Sequence, residues 1–329
     1  MSTIGSWTEA NGWRSNGPVN ATTAPTEPHV AASPTTPRRV PGTALVLAAM
    51  VVLHTGSALA TELFSSLGPT GTTWLRLTFA AALLLAFTGR SLWPVVRAAP
   101  RGDLLATVLL GSVSAGMMLL FSEAAARLPL GTATALEFLG PLVVAVVASR
   151  RCRELAWLGL AAAGVLLLTS PWSGTANSAG VLFGLGSAAC WALYVVGTSH
   201  VGSRFSAPHA LAVSLTVASL TAAPVGAPGA LEALTWRTAA AAAGIALLMP
   251  LVPFLLEMTA LQRIGKTTYG TLAGLEPAVS LLAGVVLIAQ IPTALHLVGT
   301  LLVVTAGIGA ARAEARGRKG RRPPAGGAG

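Results

Sequence analysis

Thr271-Leu272-Ala273-Gly274-Leu275-Glu276-Pro277-Ala278-Val279-Ser280-Leu281 sets a glutamate, followed at once by a proline, inside one of the most apolar parts of the chain. A second stretch, Gly131-Thr132-Ala133-Thr134-Ala135-Leu136-Glu137, has the pattern that returns later as Gly270-Thr271-Leu272-Ala273-Gly274-Leu275-Glu276. Gly, Thr, Leu and Glu recur in register. Two acids at matching places in apolar sequence point to a device rather than an accident.

The 329 residues are 53% hydrophobic and only 10% charged, with a mean hydropathy of +0.70. A soluble domain carries about 25% charged residues, so this chain cannot coat a globule with polar surface. The net charge of +10 does not indicate nucleic acid, because the basic residues fall in short clusters between apolar runs and in the tail Arg312 to Arg322. That is the charge pattern of membrane topology. Cys152 and Cys190 have no metal or redox spacing. Cys190, in an apolar run, reads as a small packing residue. The segment ahead of Pro41 is polar, rich in Thr, Ala and Pro, and has no early apolar run. It is expected to be a disordered tail rather than a signal peptide.

After Pro41 come ten apolar runs: 43–63, 71–88, 103–123, 130–149, 155–170, 179–199, 208–224, 238–260, 267–289 and 293–311. Each is close to the ~20 residues that a helix needs to cross the hydrocarbon core. Backbone groups find no water there, so the runs are expected to be helical, and an all-α integral membrane protein follows. Pro141, the pair Pro250 and Pro253, and Pro277 fall inside runs and are expected to interrupt them, with Pro141 and Pro277 as helix-break or gating positions. Of the 21 Lys and Arg residues, 18 fall on one side of the membrane, two (Arg127 and Arg237) on the other, and Arg76 lies within the second run. The positive-inside rule then puts both termini in the cytoplasm.

Five helices per half is an odd number, so two homologous halves enter the membrane in opposite directions. Inverted repeats of this kind are typical of secondary transporters, with binding sites near the midplane where the halves meet. The expected organisation is a polar tail (1–41), a first five-helix repeat (42–170), a short external linker (171–178), a second repeat (179–311) and a basic cytoplasmic tail (312–329).

Glu137 and Glu276 each lie within about 5 Å of the middle of their helices at 1.5 Å of rise per residue. An ionised carboxylate there costs on the order of 2.5 kcal/mol or more. An apolar medium favours the uncharged acid, so such a glutamate can carry protons, and its ionised form can hold a substrate ammonium. The plainer alternative is a structural glutamate bonded to a neighbouring helix. Glu257, four residues after Pro253, can line the same cavity or pair with Arg263 or Lys266. Glu123 and Arg127 suit an ordinary i,i+4 pair, and Glu62 is a solvated helix end. His54 can be a packed, hydrogen-bonded core histidine or a member of a proton relay. Arg76 can snorkel to the interface beside Trp74, or point inward as counter-ion to a glutamate or clamp for a substrate carboxylate. Its place near the start of the run favours snorkelling. Gly180-Val181-Leu182-Phe183-Gly184 and Gly270 to Gly274 are small-residue faces that allow close helix packing.

The run from Leu256 through Gln262-Arg263-Ile264-Gly265-Lys266 to Glu276-Pro277-Ala278 closely resembles the drug/metabolite transporter superfamily with tandem EamA domains, in particular its threonine/homoserine exporters. So does Leu128-Pro129-Leu130 through Glu137-Phe138-Leu139-Gly140-Pro141-Leu142, followed by Ala148-Ser149-Arg150-Arg151. In layout the resemblance spans about residues 42 to 311. It implies ten helices in two inverted five-helix repeats, a central cavity, and efflux of small neutral amino acids such as threonine and homoserine in exchange for protons. The implied partners are an amino-acid substrate, protons and the bilayer of the cell membrane, without a cofactor, metal or nucleic acid; monomer and dimer both stay open. The long terminal tails depart from the short-ended family pattern. An exporter of another metabolite, drug or cation is the first rival, although the low aromatic content (5%) disfavours a flat aromatic substrate. A membrane protein without transport activity is a second. An intramembrane enzyme is the remotest, since no H-E-x-x-H, G-x-S-x-G or Gly-rich phosphate loop occurs.

Overall fold

The structure, a computed structural model, describes residues 40–149, 154–173, 177–200 and 207–320, and among these every regular element is helical. The helices are α1 (Gly42–Glu62), α2 (Phe64–Ala98), α3 (Arg101–Ala125), α4 (Leu130–Ser149), α5 (Leu155–Thr169), α6 (Ser178–His200), α7 (Ala207–Glu232), α8 (Trp236–Ala246), α9 (Val252–Leu261), α10 (Lys266–Ala273), α11 (Glu276–Ile288) and α12 (Ala294–Gly320). The pairs α8–α9 and α10–α11 are each one membrane crossing in two pieces. Among the described residues, nine crossings are long and apolar enough to span a bilayer, and the shorter apolar helix α5 is the tenth. The protein is therefore a multi-pass membrane protein. Residues 1–39, Cys152 and the end of the C-terminal tail lie outside the described residues.

Three helices overrun their expected ends: α7 continues to Glu232 rather than 224, and α2 and α12 also pass theirs. α2 starts at Phe64 rather than 71 and continues to Ala98, bending where Gly68 takes φ 69°. Only glycine enters that left-handed region at little steric cost. α12 continues past residue 311 through an Ala/Arg/Glu-rich sequence of strong helix formers.

The broken crossings have identifiable causes. Thr235 caps α8 in a reciprocal capping box with Thr238. The crossing then passes through a wide turn, Leu247–Leu251, where Met249 leaves helical geometry (φ −154°, ψ 100°) ahead of Pro250. At Gly274–Leu275 the ladder shortens, with the Leu275 N–H bonding the Leu272 carbonyl at 2.8 Å. Pro277 has no N–H to offer Ala273, and its place in the first turn of α11 suits proline. The expected break at Pro141 is absent: α4 runs through it as one helix. The physical reason is confinement. Of the apolar window of α4, 61% is buried, against 28% for the crossing Thr268–Ile288. A Cβ on Gly140 would meet the Ala188 carbonyl of α6, so α4 has no room to bend away.

Helix contacts repeat under exchange of the first five crossings with the last five. Corresponding crossings pack directly on each other: α2 on α7, α4 on α11, α5 on α12. Further contacts come in mirrored pairs: α3–α6 with α1–α9, α4–α6 with α1–α11, and α3–α7 with α2–α8. This is the signature of two inverted five-helix repeats about a pseudo-twofold axis. It gives the repeated Gly-Thr…Leu-Glu pattern a spatial meaning: α4 and α11 meet on that axis, so Glu137 and its counterpart Glu276 are brought to one place.

Candidate functional site

A hydrogen bond sets the level of the site. The Thr134 and Ser280 hydroxyls lie 2.7 Å apart, both buried, and join α4 to α11. Thr134 is three residues before Glu137, and Ser280 is four after Glu276, so each acid lies about 4.5–6 Å from the bridge along its own helix. Because the helices run oppositely, both displacements have the same direction. The two glutamates therefore sit at one depth.

Beyond the bridge the halves are closed against each other. A Cβ on Gly131 would crowd Leu281, and the Gln290 side chain accepts a bond from the Leu130 N–H at 3.1 Å. In the other direction, toward the end carrying Val40, lies a cavity of about 360 Å³. That is within the ~300–1,000 Å³ range of small-molecule sites. A separate hollow of about 370 Å³ lies beyond the seal, beside Pro129, Gln290 and His296. None of the expected site residues lines it.

The cavity collects all five titratable residues expected to form a site: His54, Arg76, Glu137, Glu257 and Glu276. Pro277 is fully buried one residue from the cavity wall, and Pro141 lies one turn beyond Glu137. Glu137 is held most firmly. Ser187 of α6 donates to its Oε1 at 2.6 Å and also lies 2.9 Å from the Met117 carbonyl. One hydroxyl has a single proton for these two acceptors, so the arrangement suits either form of Glu137. An acid can donate to Ser187, which then bonds Met117; a carboxylate takes the Ser187 proton. Pro141 removes the N–H that would have bonded the Glu137 carbonyl, leaving a backbone acceptor at the same residue.

Glu276 opens α11, where an acidic side chain meets the positive end of the helix dipole. It shares its surroundings with Glu257 and, at longer range, Glu137. Glu257 bonds the Tyr269 hydroxyl across the α9–α10 hairpin. It does not pair with Arg263, which instead reaches the Val40 carbonyl at 2.6 Å.

Arg76 does not snorkel; it is only 2% exposed. Its guanidinium turns into the protein, toward the broken crossing at Met249, rather than along α2 toward the helix start. One guanidinium nitrogen, Nη1, contacts the Met249 sulfur, a weak acceptor. Nε and Nη2 have no partner among the described residues, nor do the two ring nitrogens of His54, which is 4% exposed. Arg76 and Glu137 feel each other's charge without closing an ion pair of the kind that joins Glu123 to Arg127. Buried polar groups left unpaired are costly, and here four such atoms belong to two residues on one cavity wall.

Sequence reasoning missed Ser187, Met249, Tyr269 and the Thr134–Ser280 bridge. Thr134 and Ser280 were legible as residues one turn from each glutamate. Tyr269 was legible too, because residues at similar distances either side of the 262–265 turn meet in a helical hairpin. Nothing local marks Ser187 or Met249; their roles come from helices distant in sequence.

The family model described as "EamA-like transporter family" matches residues 178–310. The chain is 33% identical over 268 residues to the threonine/homoserine exporter RhtA of Escherichia coli strain K12, covering 80% of this chain and 89% of that protein. It is 32% identical over the same length to the threonine/homoserine exporter RhtA of Salmonella typhimurium strain SL1344, with the same coverage of each chain. A solved crystal structure aligns over 85% of this chain and 99% of its own, with a TM-score of 0.57 and 19% identity, a likeness of fold.

Proposed function

This chain belongs to the EamA-like transporter family, and from that premise we propose that it exports small neutral amino acids of the threonine and homoserine type, exchanging them for protons through the cavity between its halves. The relatives named as threonine/homoserine exporters support the substrate class. The observation that carries the mechanism is the convergence of Glu137, Glu257 and Glu276 on one cavity whose only buried guanidinium among the described residues is Arg76.

The charge balance gives the exchange. Three carboxylates facing one guanidinium would bury a net charge of about −2, which an apolar interior resists strongly. Protons supply net positive charge, and the ammonium of a zwitterionic substrate, whose own carboxylate cancels it overall, can still pair with an individual ionised carboxylate. The two act on neighbouring carboxylates that share one cavity, so arrival of one favours departure of the other, and this reciprocity is antiport. Access alternates if the seal formed by Gly131, Leu281 and Gln290 parts as the opposite end closes. The crossings broken at Met249 and at Gly274–Leu275 supply the bending points. With the termini in the cytoplasm, the cavity extends toward the cytoplasmic side, ready to load. The repeat limits 42–170 and 179–311 belong to the same proposal.

The test is flux of labelled threonine and homoserine in proteoliposomes under an imposed pH gradient, comparing wild type with Glu276→Gln. Wild type is expected to move both substrates and the variant to fall to the level of empty vesicles. Full pH-driven flux by the variant would remove proton coupling from Glu276. If wild type moves neither substrate, the substrate class is wrong, and a panel of other metabolites and cations follows.

A further inference from the structure

The arginine at the closed end of the cavity is the one charge the exchange scheme leaves without a task. Arg76 is buried, keeps two nitrogens unpartnered, and spends a third on a thioether. A guanidinium is always charged and presents a planar fork matched to a carboxylate. A carboxylate stands within electrostatic reach in Glu137, yet the two do not join. Ser187 donates to one oxygen of Glu137, Oε1, and the carboxyl lines the same cavity as Arg76. The wall near Arg76 carries more unused polarity. Ser57 shares the Met249 sulfur with Arg76, at 3.3 Å, and His54, one turn along α1 from Ser57, has both ring nitrogens unpartnered.

An open ion pair of this kind is a receptor for a molecule that carries both charges on adjacent atoms. An α-amino acid places its ammonium and carboxylate on one carbon, and laid between the two side chains it completes both halves of the pair at once.

We propose that the Arg76–Glu137 gap is a zwitterion subsite, Arg76 taking the substrate carboxylate and Glu137 its ammonium, with His54 a further donor at the carboxylate end. This rests on the amino-acid exporter reading above and sharpens it. The subsite excludes amines, cations and uncharged metabolites, and it separates tasks among the acids: Glu137 holds substrate, while Glu276 and Glu257 handle protons. It also gives a reason for much of the remaining wall, such as Leu53, Met118, Phe121 and Leu211, to be apolar. Recognition is of the two charged groups common to all amino acids, and a short side chain needs only space.

Competition against labelled threonine transport in proteoliposomes tests the subsite with two probes. Threoninol lacks the carboxylate, and 3-hydroxybutyrate lacks the ammonium. In the wild type each is expected to compete about thirtyfold or more weakly than threonine, the effect of removing one partner of a buried charge pair. In Arg76→Gln, threonine is expected to weaken to the level of threoninol while threoninol itself changes by less than about twofold, because it never used the guanidinium. Arg76→Lys keeps the charge without the fork and is expected to fall between. Threoninol competing as well as threonine in the wild type overturns the subsite, and that arm needs no variant to fold. So does equal loss for both ligands in Arg76→Gln, which would mark Arg76 as a closing contact for Glu137 in another conformation. A wild type that carries amino acids without carboxylate dependence sinks the subsite alone. One that carries only molecules other than amino acids sinks the exporter reading with it.

Discussion

α4 and the α10–α11 pair share a sequence pattern and a place on the pseudo-twofold axis, yet one is a single rod and the other is two short helices. Gly140 of α4 fits against the Ala188 carbonyl, and its counterpart in the second pattern is Val279, partly buried against the cluster of Val46, Met50 and Ala260. Glu137 is bonded by Ser187 within a continuous helix. Glu276 heads a fresh helix beside another acid. The same residue repeated in the same register has been given a fixed post in one half and a movable one in the other. A repeat in sequence thus specifies where two groups meet, while the neighbours of each copy specify what each can do.

The glutamates themselves give the largest expected contrast. Glu276→Gln is expected to end pH-driven exchange with the melting temperature in detergent unchanged or raised, since it removes one of several mutually repelling acids. Glu137→Gln is expected to lower stability by about 1–3 kcal/mol as well as flux, because it takes the counter-charge from buried Arg76 and weakens the Ser187 bond. Thermal unfolding of both variants beside their flux checks this. Equal melting behaviour would mean that the two acids are equivalent after all.

Packing supplies the next contrast. Gly140→Val is expected to cost about 1–3 kcal/mol or more through overpacking against α6. The reverse exercise, Val279→Ala, removes only partly buried methyl groups and is expected to cost about 1 kcal/mol. Expression and melting temperature of the two variants report the difference.

Much of this was legible beforehand because a bilayer enforces simple rules. Ten apolar runs, the paired Gly-Thr…Leu-Glu patterns and the odd helix count per half were enough for the inverted repeat, and the buried acids were enough to name the cavity. Helix geometry near prolines was not legible. Pro141 and Pro277 look equivalent as residues, and only the packing around each decides whether the helix yields. The direction of Arg76 was misread for a different reason: its guanidinium turns inward to Met249, a residue of a distant crossing that nothing near Arg76 in the sequence records. Ser187 and Met249 act through contacts between helices far apart in the chain, which no local pattern records.

Ser187→Ala sharpens the reading of Glu137 as the fixed member. With the hydroxyl gone, the carboxyl loses the Ser187 donor, and the Met117 carbonyl loses a neighbour. The expected loss is about 0.5–1.5 kcal/mol, read as threonine affinity up to about tenfold weaker with stability reduced to match. Affinity that stays put would mean that Glu137 is positioned by the helix alone.

The two prolines give the smallest effects and the most direct test of rod against broken pair. Pro277→Ala restores an N–H that can reach the Ala273 carbonyl, so α10 and α11 can join into one helix. Because Pro277 occupies a first-turn position where proline costs nothing, folded-state stability is expected to change by less than about 0.5 kcal/mol. Transport is expected to slow all the same, by roughly twofold to tenfold, because the hinge beside Glu276 has been stiffened and conformational steps set many transport-like rates. Pro141→Ala restores a donor to the Glu137 carbonyl in a helix that is already continuous, so it is expected to leave exchange rate within about twofold and to stabilise α4 slightly. Exchange rates measured at saturating substrate separate the two cases. A slow Pro277→Ala beside a normal Pro141→Ala places the moving element in α10–α11; the opposite order would transfer it to α4 and make Glu137, not Glu276, the acid that travels between the two sides.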